Sequence, residues 1–432
     1  MQSEKVFQGN EILTSVPIRD PEARFALVGA NAAGQGVQWP LGMDQLSKHL
    51  LLLGGIGTGK SNAFYHLIKQ LRNQMGTRDV MIIFDTKGDY YQRFYRPGDI
   101  VIGNDTRARG PGGPDHWNLF REVDVDDRLE ENVMEITKTL FSEQIERAHQ
   151  PFFPNAAKDL LMALMLHVIR TDKCAPLRNN AGLRSLLDGF SVNAMLRILA
   201  AHPDLAALQS YIADPLSGQT LGVVAELQQA VRSILVGNFK RPGTLSMRRI
   251  VRSKGAQVVF VEYDLGIGAM LTPIYRLLFD LAIKEALCRT TDEGNVFFII
   301  DEFRLLPQLS HVDDGVNFGR SLGAKFIVGL QNVDQVYDAY GQDRANSILS
   351  GFGTTVCFRL NDNTSRNYVK NLFGRNTRVF TFESAVRNRG VVEQLNDAYV
   401  VEDWDVTRLR TGEALVGFAE HPPFQFRFKR FD

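Results

Sequence analysis

Apolar positions along this chain follow two rhythms. In the first, unbroken apolar runs stop abruptly at polar or glycine-rich residues: HLLLL at 49–53, DVMIIFD at 79–85, DIVIG at 99–103, GAQVVFVEY at 255–263, NVFFIIDEF at 295–303, GAKFIVGLQN at 323–332 and TTVCFRL at 354–360. Runs of this length without alternation predict strands buried on both faces. In the second rhythm apolar residues recur three and four apart, at Ala157, Leu160, Leu161, Leu164, Met165 and Val168, and again at Val224, Leu227, Val231, Ile234 and Leu235. That spacing predicts helices from about Val125 to Leu245, and a further long helix over about 269–289.

Strands separated by helices imply an α/β fold with a mostly parallel central sheet. The helical stretch interrupts it, which predicts three segments: 1–122 as the first part of one domain, 123–247 as an inserted all-α domain, and 248–432 as the second part of the first. A chain of 432 residues with 44% hydrophobic content is long enough for two or three domains.

Charge narrows the partners little. Lys plus Arg and Asp plus Glu both number 49, so a polyanion would have to be met by a local patch. The three cysteines, Cys174, Cys288 and Cys357, form no CxxC pair and the eight histidines no metal-ligand motif, which points to a reducing compartment. The most apolar runs, 160–169 and 274–283, are expected to be too short for a bilayer, which needs roughly 20 apolar residues, or to be interrupted by Arg276 and Asp280.

The specific chemistry begins at Leu50–Phe64, LLLLGGIGTGKSNAF. Gly54, Gly55, Ile56, Gly57, Thr58, Gly59, Lys60 and Ser61 match G-x-x-x-x-G-K-[ST] between a strand and an amphipathic helix running to about Met75. Glycines let backbone N–H groups curl around phosphates, and the helix N-terminus adds positive charge. Lys60 would reach the outer phosphates and Ser61 would ligate magnesium.

The expected ligands are therefore ATP and Mg2+. The apolar run into Asp301-Glu302 supplies the partner carboxylates, Asp301 for the metal and Glu302 to polarise the attacking water. Gln331 closes another buried run and suits either a sensor of the terminal phosphate or a turn cap. Ligand chemistry collects at the carboxyl ends of parallel strands, so the loop, Asp85, Asp301-Glu302 and Gln331 are expected on one edge.

HLLLLGGIGTGKS, FDTKGDYY, the WNLF at Trp117 to Phe120, FFIIDEF and FGRSLGAKFIVGLQN occur in the order and spacing of the type IV secretion coupling proteins, the TraG/TraD-like conjugative ATPases, which this chain resembles from about Val6 to its end. The resemblance implies a RecA-like ATPase domain with an all-α insert. It implies a homo-hexameric ring at the cytoplasmic face of the bacterial inner membrane, passing a relaxase-linked, single-stranded DNA to the type IV secretion channel. It also assigns Arg320 to a neighbouring subunit's nucleotide, where an exposed helix arginine is the plainer alternative.

Such proteins commonly carry N-terminal transmembrane helices, and none is expected within these residues. Rival readings are a HerA- or FtsK-like duplex pump, a coupling ATPase for protein effectors, and a nucleotide-gated scaffold. Candidate nucleic-acid contacts are the basic run Arg248, Arg249, Arg252 and Lys254, or simply a solvated charged face. The terminal FQFRFKRF at 424–431 reads as base-stacking residues or, more simply, an edge strand. His49 is expected to pack beside the first core strand, and Asp85 with Asp89 around Lys87 to serve a turn.

Overall fold

Leu50–Leu53 shows why the sheet forms where it does: all four side chains are inaccessible, so both faces of this strand meet apolar neighbours. The computed structural model describes residues 3–17, 20, 23, 25–104, 115–288, 294–383, 391–418 and 420–431. Its strands are β1 Ser3–Gln8, β2 Phe25–Ala30, β3 Gly36–Leu41, β4 Leu50–Leu53, β5 Asp79–Asp85, β6 Ile100–Gly103, β7 Gln257–Glu262, β8 Asn295–Ile300, β9 Ala324–Leu330, β10 Thr354–Cys357, β11 Arg375–Glu383, β12 Val391–Tyr399, β13 Glu413–Phe418 and β14 His421–Phe428. The chain forms two compact units. The first is Met1–Ile83, Thr290–Gln308 and Val312–Asp432, and the second is Phe84–Arg289 with Leu309–His311.

In the first unit the strands pair in the order β3-β2-β14-β13-β10-β4-β9-β8-β5. The centre is parallel: β10 beside β4, β4 beside β9 and β9 beside β8. The flank β13, β14, β2, β3 is antiparallel. Strand β14 is thus interior rather than the expected edge strand, because β2 of the β2–β3 hairpin pairs with its last two residues, Arg427 and Phe428. Its aromatics serve packing, with Trp39 held edge-on by Phe418, Phe424, Phe426 and Phe428. A second, three-stranded sheet has the order β1-β11-β12.

The second unit carries the parallel pair β6 and β7. Between them the described residues hold helices, 3-10 turns and an isolated Trp117–Leu245 bridge. Helix Phe152–Arg170 packs on helices Leu129–Arg147 and Gly218–Ile234, and helix Gly268–Leu287 on Met247–Ser253. Phe152–Arg170 corrects one expectation: helicity extends the apolar run to 19 residues, long and apolar enough to cross a membrane by length and composition. Much of it is nevertheless buried, including Ala156, Ala157, Leu160, Leu161 and Leu164, as in the core helix of a globular unit.

Candidate functional site

The turn after β4 is shaped by its glycines. Gly57 and Gly59 take φ of 72° and 111°, the left-handed region that other residues rarely adopt. A Cβ on Gly59 would meet the Gly412 backbone nitrogen at 2.9 Å, so only glycine lets the loop lie against the turn at 411–412. That turn grips the loop in return: Gly412 N donates to Thr58 O at 2.8 Å and Thr411 Oγ1 to Gly57 O at 3.3 Å. Gly54 N donates to Leu330 O and Gly55 N to Arg359 O, pinning the loop's entrance. Ile56 stands exposed at the tip.

Helix Lys60–Gln74 starts directly from Gly59, so its free N–H groups face the loop's concave side. Lys60 is buried and folds back over the loop, donating from Nζ to Gly54 O at 2.7 Å. Ser61 Oγ donates to Asp301 Oδ2 at 3.1 Å, across 240 residues of sequence. Beside the loop lies a cavity of about 680 Å³ lined by Gly59, Asn62, Gly412, Arg427, Lys429 and Arg430 among others. Asn62 fixes the last strand's end, donating to Lys429 O and accepting from Phe431 N.

Adjacent parallel strands deliver the remaining groups to the same edge. β8 ends before Asp301-Glu302, and β9, its neighbour, ends before Gln331. Gly329 makes the approach possible, since a Cβ there would strike Asp301 O at 2.3 Å. Gln331 donates from Nε2 to Glu302 Oε2 at 2.8 Å, and Arg304 from Nε to Glu302 Oε1 at 3.0 Å. The sequence expectation thus finds Gly54–Ser61, Asp301, Glu302 and Gln331 together. It missed Arg304, Gly329 and the 411–412 turn; Arg304, two residues after Glu302, is the one that DEFR itself offered.

The residues present suit a magnesium nucleotide. The loop can lie as it does only with glycines where a Cβ would strike Phe358 (Gly54) or Gly412 (Gly59), a lysine lies over it, and a hydroxyl and a carboxylate are already in contact at its lip. Arg320 lies elsewhere, in the turn before β9 and so at the opposite end of the strands. Its Nη2 donates to Asp44 Oδ1 at 2.9 Å. Lys48 first, and Arg320 after it, holds the Asp44 carboxyl below the usual range. Arg320 lines a cavity of about 560 Å³ with Arg78, Asp79, Asn295 and Lys325.

His49, also of the first unit, is buried with its Nδ1 accepting from Phe326 N at 3.1 Å. Burial, and then the charge of Lys325, pushes its pKa down to about 4. In the second unit, Asp85 caps a turn: its oxygens accept from Lys87 N and Tyr91 N. The basic run is no open patch. Arg248 is buried against Glu285 and Asp126, Arg249 meets Asp124, and Arg252 meets Glu285. Lys254 is buried as well.

Comparison with known proteins fits this geometry. A family profile described as the type IV secretion-system coupling protein DNA-binding domain matches residues 34–411. The chain is 22% identical over 370 residues to the coupling protein TraD of Escherichia coli (strain K12), covering 83% of this chain and 48% of that protein. It is 22% identical over 384 residues to the type IV secretion system-coupling protein VirD4 of Bartonella henselae, covering 83% of this chain and 55% of that one. The chain therefore spans about half the length of the curated relatives it matches.

Among solved structures, unbound bacterial conjugative coupling protein TrwBdeltaN70 superposes with a TM-score of 0.76 at 19% identity, covering 99% of this chain and 94% of that one. Plasmid coupling protein TrwB in complex with ADP and Mg2+ gives 0.74 at 19% identity, with the same coverage. The RecA-like α/β fold with its mostly parallel centre is thereby borne out. With a profile spanning most of its length, this chain belongs to the type IV secretion-system coupling protein family.

Proposed function

We propose that this chain is an ATP-hydrolysing motor that recruits DNA and moves it into a type IV secretion channel. The observation that carries the reading is the 3.1 Å contact between Ser61 and Asp301, because it joins the phosphate loop to a carboxylate from a remote strand end. Loop amides and Lys60 would hold the ATP phosphates, and Ser61 with Asp301 would hold Mg2+. When bound, the metal offsets charge on the terminal phosphates.

Glu302 then orients and polarises the attacking water, and Gln331 positions Glu302 while sensing the phosphate. The cavity beside Gly59 and Asn62 leaves room for the nucleoside. Solved complexes of TrwB with ADPNP and with ADP and Mg2+ support the choice of ligands.

Arg320 is exposed at the far end of the strands, which suits a group that reaches a neighbouring subunit's nucleotide in a homo-hexameric ring. In this reading 1–122 and 248–432 form the nucleotide-binding domain and 123–247 an inserted all-α domain. The absence of described strands between β6 and β7 supports the insert; the compact second unit is wider because it also takes in β6, β7 and helix Gly268–Leu287. The cargo is single-stranded DNA carrying a relaxase, received at the cytoplasmic face of the bacterial inner membrane.

The test is ATPase turnover with single-stranded DNA, duplex DNA or no DNA. Strongest stimulation by single strands is expected, together with loss of turnover in Lys60→Ala. Preference for duplex would favour a duplex pump, and indifference to both a protein cargo. Arg320→Ala should keep nucleotide binding and lose turnover; unchanged turnover at saturating protein removes the shared site.

A further inference from the structure

Glu302 has both oxygens engaged. Gln331 donates to one at 2.8 Å and the Arg304 guanidinium to the other at 3.0 Å. A general base must offer a lone pair to water within hydrogen-bond reach. A carboxylate keeps further lone pairs beside those two, but a guanidinium on it fixes its orientation and offsets the charge that would polarise the water.

The two partners of Glu302 are held very differently. Gln331 follows directly from a buried strand. Arg304 lies in a 3-10 turn, Phe303–Leu305, whose backbone is fixed: Phe303 is buried and stacks on Tyr340 with ring centroids 5.7 Å apart, and Tyr340 Oη donates to Leu306 O at 3.1 Å. The Arg304 side chain itself is 50% exposed. It holds Glu302 through Nε, while its two terminal nitrogens have no hydrogen-bond partner among the described residues. An ion pair this exposed is weak and exchanges readily. A free guanidinium fork is also the geometry that grips phosphate oxygens bidentately.

We propose that Arg304 is a positioning residue that restrains Glu302 while no nucleic acid is bound, and that a nucleic-acid backbone phosphate releases Glu302 by taking over the guanidinium. This rests on the reading of Glu302 as the base of a DNA-moving ATPase. No covalent bond changes: one oxyanion replaces another on the same cation. Gln331 keeps the freed carboxylate oriented, so that the opened oxygen turns to water rather than swinging away. Hydrolysis is thereby coupled to cargo at the base itself.

The test compares the full chain with E302Q, R304A and R304K, measuring kcat and KM for ATP with and without a single-stranded oligonucleotide. Wild-type turnover that DNA raises and E302Q removes establishes the underlying reading; its failure in those two arms overturns that reading and this one together. With it in place, R304A is expected to raise kcat without DNA about three- to tenfold, leave KM within about twofold, and bring the stimulation ratio close to one. R304K retains a cation and should keep turnover without DNA low, which a merely structural role for the side chain would not predict. An R304A kcat equal to or below wild type without DNA overturns the restraint. A raised kcat with the wild-type stimulation ratio overturns release by phosphate.

Discussion

Glu122 and Glu302 are both carboxylates with each oxygen engaged, one in each compact unit, and their settings differ in every respect that matters. Glu122 is fully buried and accepts from Trp117 Nε1 at 2.6 Å, Ser246 Oγ at 2.8 Å, Met247 N at 2.6 Å and Arg248 N at 3.1 Å. Burial pushes its carboxyl up and those donors pull it back. Glu302 retains 16% side-chain exposure and has one amide and one half-exposed guanidinium. A buried acid saturated with donors fixes architecture, since any movement strands several of them. A partly open acid with an exchangeable partner can change partners, and so can work.

The first way to break this comparison is to neutralise each acid. Glu302→Gln is expected to lower ATP turnover by about 10²–10⁴-fold, the usual worth of a positioned base. Its thermal midpoint should move by less than about 2 °C, because no buried group loses a partner. A large fall in melting temperature would make Glu302 structural instead. Glu122→Ala should reverse the pattern, costing about 3–5 kcal/mol in denaturant stability as buried donors are left unpaired. A cost under about 1 kcal/mol would show that the knot carries no architecture.

The same contrast explains what the sequence disclosed. Gly54–Ser61 and Asp301-Glu302 were legible because each is a local pattern: an apolar run sets the strand, and the next residues must then lie at its end. Partners drawn from far away left no such trace. Arg248, Arg249 and Arg252 read as a basic patch because Asp124, Asp126 and Glu285, which neutralise them, lie 33 to 125 residues off. Arg320 gives no hint of Asp44, 276 residues earlier. Arg304 stands in plain view in DEFR, but its role does not, since the sequence does not say that a 3-10 turn sets its Nε against the Glu302 carboxylate. β14 read as an edge because the β2–β3 hairpin beside it is short and patterned weakly.

His49 sharpens the comparison from an intermediate position, as a buried group with its Nδ1 partnered and its pKa at about 4. An unfolded histidine titrates near 6.5, so below that pH the unfolded chain binds the proton that the folded one refuses. The stability this represents is present above about pH 6.5 and lost as pH falls towards about 4, amounting to about 3 kcal/mol. His49→Asn is the informative change. Its φ of 60° suits asparagine, whose amide oxygen can accept from Phe326 N. Denaturant stability of this variant between pH 7 and pH 4.5 should fall less steeply than that of the wild type; parallel curves would mean that His49 is not what titrates.

The smallest effect is expected beside the largest buried one. Arg249 follows Arg248 in sequence, yet it is 50% exposed and its Nη2 meets Asp124 Oδ1 at 3.0 Å, whereas Arg248 is 4% exposed between two acids. Arg249→Ala should therefore cost no more than about 0.5 kcal/mol, and less at high salt. Arg249 also tests whether the basic run serves DNA at this position, being one of its two half-exposed members, with Arg252. A phosphate contact would make affinity for a single-stranded oligonucleotide fall on its removal and reduce the salt slope by roughly one. Because Asp124 already engages that guanidinium through both its backbone and side-chain oxygens, affinity is expected to stay within about twofold at every salt concentration. A tenfold loss at low salt that vanishes at high salt would move Arg249 out of the architecture of the second unit and into its working surface.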